Sequence, residues 1–276
     1  MDIGVHGIPM VAGSERSTLS FSESAQLGLL TDTADICRTT PVSVRSLLIL
    51  DTETTGLNPD QGQCLEVGAI LFDVPSRSIL IQQSFLLPVE SNLAEPINQI
   101  PASVTRISQP WKPALMLFRE LITTCDVVVA HNAAFDRPWF GRPPLPPVNR
   151  PWLCSMEEIP WPTERQLRAR PSIRDLALAY GVPVWSAHRA LTDCTYLAEV
   201  FRRCDDLEQR ILLGLEPRCL MQAQVSYDNR HLARDAGFCW NDPIRGAWTR
   251  RLSDRETLAL RFPVVPVNAA AQHLVD

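Results

Sequence analysis

The stretch Ser46-Leu-Leu-Ile-Leu-Asp-Thr-Glu-Thr-Thr-Gly56 decides the fold. Its first half, Leu47 to Leu50, is a continuous apolar run, the mark of a strand covered on both faces. Its second half places Asp51 and Glu53 two residues apart at the end of that strand. Side chains alternate along a strand, so the two carboxylates point the same way. Held so close they repel, and protons, arginines or a divalent cation must neutralise them. Oxygen donors favour Mg²⁺ or Mn²⁺. Gly56 frees the backbone for a tight turn, with Thr54, Thr55 and Leu57 exposed towards a bound substrate. Alone, such an acid pair reads more readily as a surface turn or a helix cap.

Outward from this strand, Cys64–Asp73 and Ser78–Leu87 read as two more, with Pro75 and Ser76 turning between them. Connections this short make the three strands antiparallel. Lys112–Thr124 carries Leu115, Leu117, Phe118, Leu121 and Ile122 at helical spacing. Asp126–Ala130 is another buried-type strand, and Gly141–Pro151 is too rich in proline for a helix or a central strand. Ser172–Tyr180 reads as a helix with Ser172 as N-cap, Asp175 at the capping-box position and Gly181 as its stop. Leu191–Leu207 reads as one long helix with Leu191, Cys194, Leu197, Ala198 and Phe201 on one stripe. Strands first, then strand and helix alternating, give an α/β domain over residues 45–213. Its mixed sheet has three antiparallel strands, then parallel ones, flanked by helices. Residues 1–44 lack periodicity and read as a flexible tail with one short helix near Ser24–Leu30.

Two further clusters share the chemistry of the first. His131-Asn-Ala-Ala-Phe-Asp136 follows the strand Asp126–Ala130 and places Asn132 and Asp136 on one face of a helix, with Asn132 also suited to cap it. Phe135 reads as core more readily than as a ligand contact. Ala187-His-Arg-Ala-Leu-Thr-Asp193 places Asp193 four residues before Leu197, at the border of the apolar stripe, where a carboxylate needs a partner such as a metal. His188 precedes that helix. An unperturbed imidazole titrates near about 6.5 and so can accept a proton from water at neutral pH.

In this order the three clusters resemble the motifs of the DnaQ-like (DEDDh) 3′→5′ exonucleases of the ribonuclease H-like superfamily, which includes epsilon-type proofreading subunits of polymerases. The motif D-x-E is matched by Asp51 and Glu53, N-x-x-x-D by Asn132 and Asp136, and H-x-A-x-x-D by His188, Ala190 and Asp193, without substitution. Ser103–Ser108 is also similar to the segment before the family's first helix. The resemblance runs from about residue 45 to 203. It implies that Asp51, Glu53, Asp136 and Asp193 hold two Mg²⁺ ions, with Mn²⁺ able to substitute. One would activate the attacking water and the other stabilise the leaving 3′ oxygen. It further implies that His188 is the general base and that Thr54, Thr55, Leu57 and Asn132 bind substrate. The products would be nucleoside 5′-monophosphates, released from single-stranded or frayed 3′ ends. The chain departs from the family after Asp136, where Pro138 and the run Gly141–Pro147 cut the helix short.

Composition bounds the remaining choices. The net charge of −5 argues against a protein that binds nucleic acid chiefly through a broad basic surface, but not against a carboxylate site that awaits cations. Lys112 is the only lysine. The eight cysteines form no C-x-x-C pair, no leader opens the chain, and no apolar run approaches the roughly 20 residues of a membrane span. These features suit a reducing cytoplasm and no membrane partner. A replicative DNA polymerase is a candidate partner, for which no interaction motif argues either way. RNA trimming by the same fold, and a non-catalytic binding subunit, are the rival functions.

Residues 221–266 read as a small α+β module: a strand at Val225–Asp228, a helix capped by Asp228 or Asn229 and ended by Gly237, then a hairpin turning at Asn241–Gly246. Between Asp228 and Phe262 seven arginines face five acids. Arg245, Arg250 and Arg251 beside Trp240 and Trp248 suit stacking and phosphate contact. The competing reading is a small core of Phe238, Trp240 and Trp248 with arginines in water.

Overall fold

The computed structural model describes residues 43–185 and 188–267. The short helix expected near Ser24–Leu30 and most of the tail lie outside them. β1 (Ser46–Thr54) is the central strand of a five-stranded sheet. β2 (Cys64–Asp73) pairs with it antiparallel, and β3 (Ser78–Leu86) pairs antiparallel with β2. On the other side β4 (Val127–Ala130) and β5 (Trp152–Cys154) run parallel to β1. The order is β3-β2-β1-β4-β5, so the mixed α/β sheet has the expected antiparallel and parallel halves.

Parity along β1 explains why its apolar run is unbroken. Leu47 and Ile49 join one core with α5 (Ile173–Ala179) and α6 (Ala190–Arg202). Leu48 and Leu50 join another with α3 (Trp111–Thr124). β2 alternates less clearly in sequence for the same reason, since its residues Cys64–Phe72 are all buried. Two short helices, α1 (Glu95–Asn98) and α2 (Ala102–Thr105), precede α3, and one turn, α4 (Ala133–Asp136), follows β4. Pro138 stands in a 3₁₀ turn, Arg137–Trp139, so the helix after Asp136 is as short as the prolines require.

α5 carries the expected capping box, with the Asp175 amide donating to Ser172 and the Asp175 carboxylate accepting from the Ser172 amide. Gly181 ends it with φ +67°. The long helix expected to reach Leu207 ends at Arg202, and α7 (Leu207–Gly214) begins after a break. Asp205 and Asp206 explain the break. Acids oppose the dipole at a helix C-terminus and suit an N-terminus, where Asp206 takes the cap position of α7 and pairs with Arg210.

The C-terminal module is a four-stranded sheet of order β7-β8-β6-β9. Its strands are β6 (Cys219–Ala223), β7 (Cys239–Trp240), β8 (Trp248–Leu252) and β9 (Val264–Pro266), with α8 (Arg230–Asp235) and α9 (Asp254–Leu258) between them. The expected strand at Val225–Asp228 is displaced to Cys219–Ala223. Met221 and Ala223 there alternate inward onto Phe238 and Leu252, whereas Ser226, Tyr227 and Asp228 are exposed. Asn229 takes the cap position of α8 without a side-chain hydrogen bond, and the hairpin turns between Asn241 and Gly246 as expected. All seven described cysteines are free. Five are buried, Cys219 is exposed and Cys239 is partly so.

Candidate active site

Asp51 and Glu53 extend the parity of Leu47 and Ile49, and so emerge on the α6 side of the sheet. α6 brings Asp193 to the same side, one turn from its N-terminus. One carboxylate oxygen from each of Asp51, Glu53 and Asp193 lies within 4.8 Å of the others. Asp136 lines the same cleft but stands outside that set. It is buried, and its Oδ1 accepts from the Thr52 amide (3.0 Å) and hydroxyl (2.8 Å). Thr52 has the opposite parity to Asp51, and its amide and hydroxyl together fix Asp136 by one carboxylate oxygen.

Burial and mutual repulsion act on all four acids. Asp51 is pushed well above the carboxylate range, first by desolvation and then by Asp136, Asp193 and Glu53. Desolvation, Glu66 and Asp193 raise Glu53 to about 8. Desolvation raises Asp136 to about 7 against the two Thr52 hydrogen bonds, and Asp193 to about 6. Asp193 Oδ1 is buried with no hydrogen-bond partner. Such an orphaned oxygen, beside two more carboxylates and with no ion pair to a lysine or arginine among the described residues, fits a divalent cation with oxygen preference.

His188 is exposed at the rim of the cleft in the left-handed region (φ 61°), and its backbone amide hydrogen-bonds the Asp193 carboxylate. A second histidine, His131, also lines the cleft. Its Nε2 donates to the Pro171 carbonyl (3.1 Å), which leaves Nδ1 to accept from Ser155 Oγ (2.9 Å). Burial holds its pKa down at about 4, so it is neutral and both nitrogens are engaged. Among the described residues no hydrogen bond engages the His188 ring, whereas both nitrogens of His131 are taken.

The residues expected to face substrate differ in exposure. Leu57 is 85% exposed on the cleft wall, but Thr54 and Thr55 are buried. Their hydroxyls are used inside the turn: Thr54 Oγ1 donates to the Gly56 carbonyl (2.7 Å) and Thr55 Oγ1 accepts from the Gln63 amide (2.9 Å). They shape the wall by backbone and do not present hydroxyls to a ligand. Asn132 occupies the cap position of α4 at φ 86° without capping it, so its side chain stays at the cleft. Phe135, half-buried, also lines the cleft in place of entering the core. Leu93 and Ile97, both exposed, extend the apolar rim begun by Leu57. No sequence signal marked them, because they come from a loop and a one-turn helix without periodicity.

Glu66 is the main residue that the sequence pattern does not reveal. It is 2% exposed on β2, opposite Glu53. Arg189 grips it with Nε (2.9 Å) and Nη2 (2.8 Å), the Ala190 amide donates to it (3.2 Å), and so does Ser84 Oγ (2.8 Å). This carboxylate therefore fastens the first turn of α6, and with it His188 and Asp193, to the sheet. Gly68, two residues on, permits that contact. A Cβ there would stand 2.4 Å from Ala190 C and Leu191 N.

In the module, Trp248 is partly buried on the Phe238 core while Trp240 stays 50% exposed. Arg250 and Arg251 are not aimed at a ligand. Arg250 donates to the Ala236 carbonyl (2.6 Å) and Arg251 to the Arg218 carbonyl (2.9 Å).

A mixed five-stranded sheet with acids at the end of its central strand and on the facing helix has ribonuclease H-like architecture, with a carboxylate cluster that could hold a metal ion. The chain is 28% identical over 168 residues to DNA polymerase III subunit epsilon of Treponema pallidum (strain Nichols), covering 55% of this chain and 72% of that protein. It is 27% identical over 187 residues to DNA polymerase III PolC-type of Thermotoga maritima (strain ATCC 43589 / DSM 3109 / JCM 10099 / NBRC 100826 / MSB8), covering 60% of this chain but 12% of that much longer protein. Among solved structures it is similar to exonuclease X in complex with 5′-overhanging duplex DNA, at 26% identity and a TM-score of 0.43, over 61% of this chain and 99% of that one. These similarities are consistent with a DnaQ-like exonuclease of the DEDDh type. Residues 219–267 match a separate family described as a domain of unknown function (DUF8626). Among the described residues no helix is long and apolar enough to cross a membrane.

Proposed function

We propose that this protein is a 3′→5′ exonuclease that removes nucleoside 5′-monophosphates from single-stranded or frayed 3′ ends, with residues 45–213 as its catalytic unit and residues 221–266 as an appended module. The observation that carries this reading is the trio Asp51, Glu53 and Asp193, with carboxylate oxygens within 4.8 Å and one oxygen left orphaned. With Asp136 they would hold two Mg²⁺, for which Mn²⁺ would substitute. When bound, these cations supply charge for the developing phosphorane and polarise the attacking water. His188 accepts the proton of that water at an imidazole nitrogen, from the open rim of the cleft. Leu57, Leu93, Ile97 and Phe135 receive the terminal base, and Asn132 and the backbone of Thr54 and Thr55 hold its sugar. The apolar rim accepts an unpaired base more readily than a stacked pair, which favours single-stranded ends.

Nothing in the cleft is assigned to a 2′-hydroxyl, so DNA and RNA are separated by experiment. The test is digestion of 3′- and 5′-labelled DNA and RNA strands in Mg²⁺ beside Asp193→Ala. Stepwise loss from the 3′ end, abolished by the substitution, is expected, with DNA the preferred strand. Absence of degradation in Mg²⁺ and in Mn²⁺ would leave a binding subunit. The name of the epsilon relative suggests a polymerase as partner, which co-elution with a replicative polymerase would check.

A further inference from the structure

The module matched to a family of unknown function has an open cavity of about 820 Å³ on one face of its sheet. Its wall combines three aromatic rings, an arginine and two amides: Tyr227, Trp240, Trp248, Arg230, Gln222 and Gln224. Tyr227 is 77% exposed, Trp240 is 50% exposed, and neither is covered by another element. Trp240 and Trp248 face each other across the β7–β8 hairpin, with centroids 5.5 Å apart. The Arg230 guanidinium lies 3.8 Å over the Tyr227 ring while Nη1 donates to the Tyr227 carbonyl (2.6 Å). That contact holds the cation over the ring, and Arg230 is itself exposed.

Exposed indole and phenol rings of this kind suit ligands with π-faces, and a fixed arginine beside them suits an anion. Gln222 and Gln224 supply donors and acceptors that an apolar peptide would leave unpaired. The arginine excess of the module, within a chain of net charge −5, has the sign that a polyanion requires. We propose that this face is a second nucleic-acid site, where unpaired bases stack on Trp240 and Tyr227 and a backbone phosphate pairs with Arg230. It holds the strand whose 3′ end is digested in the acidic cleft. The choice of a nucleic-acid strand as occupant rests on the exonuclease reading.

The test is fluorescence anisotropy of the full chain with labelled single-stranded DNA and RNA 20-mers and with a 20-base-pair duplex. Chelator is present, so that nothing is hydrolysed and the unneutralised acidic cleft repels the strand. Binding of the single strands in preference to duplex is expected, with quenching of tryptophan emission. Trp240→Ala should weaken it about tenfold or more, Tyr227→Ala less, and Trp240→Phe, which keeps a ring, by no more than about threefold. No binding of single strands, affinity unchanged in both alanine variants, or equal losses for Trp240→Phe and Trp240→Ala at an unchanged melting temperature would each overturn the proposal. The last outcome would mark a surface shaped for a protein. Hydrolysis of a dinucleotide in Mg²⁺, measured separately, keeps the two readings apart. Binding without hydrolysis sinks the exonuclease and leaves the site, and hydrolysis without binding does the reverse.

Discussion

Two regions of this molecule bury charge, and they do so in opposite ways. In the cleft, Asp51, Glu53, Asp136 and Asp193 stand together with no ion pair to any of them among the described residues, and every one is pushed towards its neutral form. At the seam between the nuclease sheet and the module, largely buried arginines meet acids and carbonyls, although Nε of Arg170 and of Arg218 is left without a partner. Arg218 forks between Glu256 and the Glu158 carbonyl (3.0 Å). Arg250 reaches the carbonyls of Ala236 (2.6 Å) and Glu157 (3.4 Å), with Glu256 at 3.7 Å. Arg170 pairs with Glu157 at 2.5 Å. Burying a charge is costly unless it is paired, so a paired cluster fastens structure and an unpaired one awaits a ligand.

Removing one charge from the cleft has the largest expected effect. Asp51→Asn should lower the rate on a labelled strand by on the order of 10³, because several kcal/mol of charge stabilisation in the transition state are lost. In chelator the same change should stabilise the fold. All four acids hold protons in the folded protein at pH values where the unfolded chain has released them. The stability they contribute is full below about pH 4, the ordinary carboxylate range, and is lost as pH rises through about 6, 7 and 8. The metal-free wild type should therefore melt lower at pH 8.5 than at pH 5.5. Asp51→Asn should flatten that slope, and Mg²⁺ should raise the wild-type midpoint most at high pH. A slope unaffected by the substitution would show that the repulsion is not where the geometry places it.

His188→Ala should cost about 10² to 10⁴ in rate while leaving the Mg²⁺-induced rise in melting temperature intact. His131→Ala should instead lower stability, since its ring bridges Ser155 and Pro171. A loss of the Mg²⁺ effect in His188→Ala would make the histidine a ligand and not a base.

These acids and His188 were legible in the sequence because motif spacing and strand parity are local properties. Leu47 to Leu50 announced a strand buried on both faces, and the same parity carried Asp51 and Glu53 to one side. What was illegible depends on pairing between distant segments. Glu66 sits in an apolar strand and looks like an interruption until β1 and α6 close on it. Thr54 and Thr55 looked exposed because a turn was expected, but the loop to Gln63 folds back and consumes their hydroxyls. The strand of the module was misplaced by several residues because β6 is defined by its partners β8 and β9, which lie far along the chain. Tyr227 and Trp240 carried no sign of their exposure, since aromatic residues serve cores and surfaces alike.

The contact of α6 with the sheet links the two kinds of region, for it is a paired charge that positions the unpaired ones. Gly68→Ala should force α6 off β2, costing about 1–3 kcal/mol of stability and lowering activity with it. Glu66→Ala should cost about 2 kcal/mol, less than a fully buried pair because the Arg189 side chain is about half exposed. Arg189→Ala should lower kcat with little change in KM, and the two substitutions together should cost less than their sum. Additive effects in a double-mutant cycle would show that the pair does not act as a unit.

The smallest expected effect on activity comes from the seam itself. Arg250→Ala leaves the carbonyls of Ala236 and Glu157 without a donor and should destabilise the protein by about 1–3 kcal/mol. Hydrolysis of a dinucleotide, which is too short to leave the acidic cleft, should be unchanged at a temperature where the variant is folded. Removing a charge would thus stabilise one region and destabilise the other. If Arg250→Ala melted like the wild type, the seam would be a loose contact, and the module would hold its strand on a tether. Cleavage of long strands would then lose any fixed relation to the spacing between the module and the cleft. A seam that melts with the sheet, by contrast, makes the module a fixed platform whose distance from the acids sets the shortest strand able to use both sites.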